Sequence, residues 1–310
     1  MSTPITAALV KELRDRTGAG MGDCKKALEA TAGDLDKAAE KLRMDGAAKA
    51  DKKAGRTAAE GVLAIAGNDQ AMAIVELNSE TDFVAKGDEF RTLARLVAQA
   101  AHAHKPGDTE ALVRLQSGEA TLDEHRRGLI AKLGENMTIR RFAIVEAAGG
   151  PLVTYLHPGD KIGVIVAMES GDAELARDLA MHIAAMNPRY LDAASVPGDT
   201  IESERKVIEA GVAKEQEEAR LDAEEAGKPF KAKPAEILAK MIDGRINKFI
   251  GEITLLGQPF VKNPDETVEK LLKAKNAKVA RFVRFAVGEG IEKQQTDFAA
   301  EVMAQAGIKA

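Results

Sequence analysis

Two distant stretches of this chain read alike: Arg141-Phe142-Ala143-Ile144-Val145 and Arg284-Phe285-Ala286-Val287. Each closes a segment with the same order of signals. The first segment opens with apolar runs at 62–66 and 71–77, parted by Gly67-Asn68-Asp69. Runs of that length around such a turn predict a β-hairpin. Phe90, Leu93, Ala94, Val97 and Ala98 then recur at helical spacing, with Asp88 as the expected cap. A further helical stretch is expected from about 108 to 133, and residues 139–146 alternate like a strand. The second segment repeats the order. It has runs at 152–156 and 162–168 around Pro158-Gly159-Asp160, a helix through Leu175, Leu179, Ala180 and Ile183, and a strand over 279–287. Using one hairpin–helix–insertion–strand unit twice confines the fold to the α+β class: two small antiparallel sheets, each covered on one face by helices.

The flanks read differently. Residues 1–45 predict three short helices. Leu9, Val10 and Leu13 mark the first, and Cys24, Ala27 and Leu28 the second, capped by Asp23. Leu35, Ala38, Ala39 and Leu42 mark the third, capped by Asp34. Residues 46–60 carry no apolar stripe and read as a linker. In the second unit, 201–226 is rich in Glu, Lys and Arg, Gly227-Lys228-Pro229 breaks it, and Ile237, Leu238, Met241, Ile242 and Ile246 follow at helical spacing. This predicts an inserted antiparallel helical hairpin at about 198–250. Asn263-Pro264-Asp265-Glu266 reads as a capping box opening another helix. Thr296 is the expected cap of a last short helix with Phe298, Val302 and Met303. The expected domains are 1–55, a three-helix module with linker; 56–147, the first core subdomain; 148–290, the second with its hairpin; and 291–310, a C-terminal module.

Composition removes several function classes. A net charge of −5 disfavours a nucleic-acid binder, which needs a basic face to displace counterions. The longest apolar runs, such as 164–168, are too short to span a bilayer. One cysteine permits no intrachain disulfide, and Glu12 and Asp15 interrupt any targeting pattern, so a cytoplasmic location is expected.

The parts of an enzyme are missing from the pattern. No phosphate-binding glycine loop follows a strand; Gly18-Ala19-Gly20-Met21-Gly22 joins two helices instead. His102 and His104 fall on different sides of a helix, and His125, His157 and His182 lack ligand spacing. Cys24 lies on an apolar helix side, where a small core residue is expected rather than a nucleophile. No metal, cofactor or catalytic residue is therefore expected. The notable surface feature is Asn78-Ser79-Glu80-Thr81-Asp82-Phe83-Val84-Ala85-Lys86. Thr81 can cap a helical turn, Asp82 then suits its N-terminus, and Phe83 and Val84 fall at its tip. Phe83 either folds back as core or serves as an aromatic anchor for a partner's pocket.

Several long motifs carry a resemblance. They are residues 13–28 (Leu13 through Leu28), Glu76-Leu77-Asn78-Ser79-Glu80-Thr81-Asp82-Phe83-Val84-Ala85, Gly134-Glu135-Asn136, Gly257-Gln258-Pro259-Phe260 and Val287-Gly288-Glu289-Gly290-Ile291-Glu292-Lys293. In order and over nearly the whole chain, they resemble the bacterial-type elongation factor Ts family. Gly22 stands where that family can have a second Met, and 200–235 is longer and more charged than its pattern. The resemblance implies a module similar to ubiquitin-associated (UBA-like) domains, two related core subdomains, a hairpin linked to homodimer formation in some members, and a C-terminal module. It implies guanine-nucleotide exchange on elongation factor Tu, in its GDP-bound and nucleotide-free forms. Thr81, Asp82, Phe83 and Val84 would push into the nucleotide-binding domain of Tu and dislodge its Mg²⁺. Met21, Leu133, Gly134 and His157, at element ends near matched motifs, are lesser contact candidates. The alternative from another class is a UBA-like adaptor with a coiled-coil arm and no exchange activity.

Overall fold

The computed structural model describes residues 4–292; the expected helix after Thr296, and the 291–310 module beyond residue 292, lie outside them. The chain divides into two compact units. Among described residues, one holds 4–146, 156–163 and 285–292, and the other 147–155 and 164–284.

The first unit begins with α1 (Ala7–Thr17), α2 (Met21–Ala30) and α3 (Leu35–Lys53). Val10, Leu13, Cys24, Ala27, Leu28 and Ala38 close their small core. Asp34 caps α3, accepting from the Asp36 and Lys37 amides. Asp23 does not cap α2: the cap position is Gly20, and the Asp23 carboxylate instead takes Lys49 at 2.8 Å. Most of the expected linker is helix. α3 continues to Lys53 because its packing stripe is made of small residues, with Gly46 and Ala50 buried. A Cβ on Gly46 would stand 3.3 Å from the Ala131 Cβ.

The hairpin β1 (Glu60–Asn68) and β2 (Ala71–Ser79) forms as expected. The Asn68 side chain closes its turn by accepting from the Gln70 and Ala71 amides. Next come a single turn, α4 (Asp82–Lys86), and the long helix α5 (Asp88–His104), on which Asp88 is the first helical residue and Gly87 the cap. The expected helix over 108–133 is three pieces: α6 (Thr109–Val113), a small hairpin of β3 (Gln116–Ser117) and β4 (Ala120–Thr121), and α7 (Leu122–Leu133). Gly118 at φ +69° makes the reversal, and Thr121 with Glu124 restarts the helix as a capping box. Strand β5 (Met137–Glu146) completes an antiparallel sheet of order β1-β2-β5. Its Ala73, Val75 and Leu77 face packs on Phe90, Leu93, Ala94 and Val97 of α5.

In the middle of that sheet lies a fully buried carboxylate, Glu76. Pairing along β2 and β5 slips by one residue at Glu76/Leu77, so that Glu76 pairs with Arg141 and Leu77 with Ile139. The bulge brings both Arg140 and Arg141 to one acid. Arg140 Nη1 reaches it at 3.0 Å, Arg141 Nε at 2.5 Å, and the Gly288 amide at 2.8 Å. Gly288 sits against the Ala59 carbonyl at φ +73°, an approach that a side chain would block. Burial opposes ionisation of Glu76, but the Gly288 amide and the two guanidiniums outweigh it and hold its pKa below the ordinary value.

The second sheet has the order β10-β7-β6, from β6 (Leu152–Leu156), β7 (Ile162–Ser170) and β10 (Lys278–Ala286). Between β7 and β10 run α8 (Ala173–Met186), α9 (Gly198–Glu225), α10 (Ala235–Ile253), the short pair β8 (Pro259–Phe260) and β9 (Asn263–Thr267), and α11 (Val268–Ala274). α9 and α10 pack on each other as the expected hairpin, burying Val212 and Ile246. The Asn263 capping box does not form. Those residues are strand, and α11 starts one turn later, where Thr267 Oγ1 accepts from the Lys270 amide. His182 is the polar centre of this unit. It is fully buried, accepts the Val261 N–H at Nδ1 and so donates from Nε2 to Gln258 at 3.0 Å.

Candidate functional site

The Thr81–Val84 segment leaves β2 and turns at once into α4. Thr81 is the cap: its backbone is extended, and its hydroxyl accepts from the Val84 amide at 3.4 Å. Val84, expected at the tip beside Phe83, instead packs against the core, in which Ala85 is buried. Phe83 points the other way and is 83% exposed, the highest value among the exposed large apolar side chains of the described residues. It does not fold back as core. Asp82 pairs with Lys86 at 2.6 Å. That hydrogen bond holds the Asp82 carboxyl below the usual carboxylate range, and the positive charges of Lys86 and Lys161 add to it against an opposing effect of burial. The turn therefore presents an apolar ring beside a firmly ionised acid.

Two carboxylates tie this turn to the loop after α7. Glu135 accepts the Thr81 N–H at 3.0 Å and the Thr81 hydroxyl at 2.6 Å. Glu80 accepts the Asn136 N–H at 2.6 Å, and Arg56 pairs with Glu80 at 3.5 Å. The loop is itself held. Gly134 ends α7 at φ +83°, Lys53 bonds its carbonyl, and Asn136 Nδ2 donates to the Arg56 carbonyl at 2.7 Å.

A family model described as "Elongation factor TS" matches residues 80–289. Elongation factor Ts of Thioalkalivibrio sulfidiphilus is 52% identical over 304 residues, covering 97% of this chain and 98% of that protein. Elongation factor Ts of Methylococcus capsulatus is 52% identical over 305 residues, and that of Hydrogenovibrio crunogenus 53% over 307, each again covering 97% of this chain and 98% of its own. The chain belongs to the elongation factor Ts family.

Within this elongation factor Ts fold, the other candidate residues fall around the same unit. Leu133 is 39% exposed at the end of α7, and Gly134 follows it into the loop that clamps Thr81. Met21 is 45% exposed at the start of α2. The preceding Gly18 turn lies beside Lys132, which pairs with Glu89 of α5 at 2.6 Å. His157 is exposed in the turn after β6; the same turn carries Asp160, paired with Arg91 of α5 at 2.8 Å, and Lys161, paired with Glu60 at 2.9 Å. Contacts thus link the Met21, Leu133 and His157 segments to α5 or to the loop beside α4.

Sequence reasoning named Glu76, Glu80 and Glu135 only as members of matched motifs and gave none of them a role. For Glu76 a direct signal was present, a charge inside the apolar run Ile74-Val75-Glu76-Leu77. No group of three or more His, Cys, Asp or Glu among the described residues could hold a metal ion, and no described helix is long and apolar enough to cross a membrane.

Proposed function

We propose that this protein is a non-enzymatic guanine-nucleotide exchange factor of the cytoplasm. It binds elongation factor Tu carrying GDP, loosens the Mg²⁺ and diphosphate, and leaves a nucleotide-free complex that GTP resolves. The observation that carries the reading is Phe83: an exposed ring on a capped, core-anchored turn. Phosphate, metal and surrounding amides hold a bound nucleotide together. A wedge that shifts any of these weakens the rest. Burying the Phe83 ring in a partner pocket yields about 1.5–3 kcal/mol. Each tenfold gain in release rate needs about 1.4 kcal/mol of barrier lowering, so the ring supplies about one to two powers of ten. Asp82 is ionised throughout the physiological range and can displace polar contacts near the metal. Met21, Leu133, Gly134 and His157 add holding contacts.

Linkage supplies the test. A factor that weakens GDP binding to Tu is itself weakened by GDP in the same ratio. Titrating this protein onto Tu by calorimetry, with and without saturating GDP, should give unequal affinities. The ratio should match the shift in GDP affinity measured in the reverse titration. Equal affinities with and without GDP would rule out exchange and leave simple binding.

A further inference from the structure

We infer that Glu135 is a positioning residue, which holds the Phe83 turn in its presenting conformation. The inference rests on the exchange reading above and names what organises that site. A five-residue helix has little stability alone, because nucleation fixes several residues for one hydrogen bond. α4 has five residues, and its exposed Phe83 contributes little burial to the fold. Something outside the turn must hold it. Ala85 and Val84 anchor one side in the core. Glu135 anchors the N-terminal end through both carboxylate oxygens, one on the Thr81 N–H and one on the Thr81 hydroxyl. A hydroxyl has a single proton. Donating it to Glu135 leaves a lone pair to accept the Val84 N–H, so the carboxylate sets the direction of the cap.

The adjacent pair runs in the opposite sense, from the Asn136 amide to the Glu80 carboxylate. The strand end and the loop thus exchange carboxylates. Because Gly134 and Asn136 are bonded to Lys53, Ala54 and Arg56, Glu135 rises from a fixed base.

Glu135→Ala removes both acceptors. Glu135→Gln keeps one oxygen for the hydroxyl and loses the acceptor for the N–H. In the free protein, amide exchange at Val84 and Ala85 should quicken about tenfold or more in Glu135→Ala, with β2 amides unchanged. Unchanged exchange at Val84 overturns the inference, whatever happens with Tu. A turn presented only part of the time weakens apparent affinity by that fraction and leaves the bound complex unaltered. In titrations of GDP release from Tu, the half-saturating concentration of Glu135→Ala should therefore rise about tenfold, with the maximal rate within about twofold and Glu135→Gln in between. In a Phe83→Ala background the same change should add less than about twofold, since no ring remains to be presented. An equal penalty in that background, or faster β2 exchange, marks a general weakening of the fold and also overturns the inference. If the Val84 result holds but Phe83→Ala releases GDP like the parent, the exchange reading fails and the positioning of the turn stands.

Discussion

Replacing Glu76 by glutamine removes one negative charge from the middle of the first sheet and leaves its shape nearly unchanged. The side chain is fully buried and accepts from Asn78, Arg140, Arg141 and Gly288. Removing one partner of a buried ion pair costs about 3–5 kcal/mol, because the other charge is left uncompensated. Here Arg140 and Arg141 are 24% and 30% exposed, so solvent screens part of their charge. The expected cost is therefore about 2–3 kcal/mol, below the fully buried case. Arg141 also stacks over the Phe285 ring of β10 at 4.2 Å, which keeps it from swinging free. With a urea slope of about 2 kcal/mol/M, the midpoint should fall by about 1–1.5 M. The assay is urea unfolding at neutral pH, with amide exchange along β2 as the local readout. The pH dependence has a definite sign. A carboxyl held below its ordinary value of 4.5 in the fold stabilises above that pH, and the contribution is lost as pH falls through the folded value. The gap between parent and variant should therefore narrow below about pH 4.5. A neutral-pH midpoint shift under about 0.3 M, or a gap that stays constant into acid, would refute the argument.

Two further predictions concern packing and a histidine. Gly46→Leu should lower thermal stability by about 1–3 kcal/mol, because the Ala131 Cβ already stands 3.3 Å from where a Cβ would go; an unchanged melting temperature contradicts close α3–α7 packing. His182 is held neutral: burial lowers its pKa below 6.5 and outweighs the Gln258 bond that raises it. The second unit should therefore lose stability as pH falls below 6.5, by up to about 1.4 kcal/mol per pH unit, where the unfolded imidazole protonates first. His182→Gln should flatten that slope just below pH 6.5, as followed by amide exchange along β7; an unaltered slope would assign it elsewhere.

The duplicated unit was legible because strand and helix periods are local properties of the side-chain order. Both hairpins, α5, α8 and the α9–α10 pair follow that pattern. Errors arose where a cap residue has two uses. Asp23, Asp88 and Asn263 all have cap chemistry, yet Gly20, Gly87 and Thr267 hold the cap positions. The helical extension from Gly46 to Lys53 was missed because small residues pack by closeness, which leaves no apolar stripe to read. Within the site, Thr81 and Phe83 were visible as a capped turn with an apolar tip. Glu135 stood in a matched motif, but its bond to Thr81 was not legible, since it joins residues 54 apart and no periodicity reports it. The same holds for Glu76, whose partners come from a strand bulge and from Gly288, 212 residues away.

The central claim is that one exposed ring converts binding into nucleotide release. Stopped-flow release of a fluorescent GDP from elongation factor Tu, with the parent protein and with Phe83→Ala at saturating concentrations, measures it directly. The expected result is rapid release with the parent and a rate lower by about ten- to a hundredfold with the variant, from the roughly 1.5–3 kcal/mol assigned to the ring. Equal rates for the two proteins, with both bound to Tu, would contradict it.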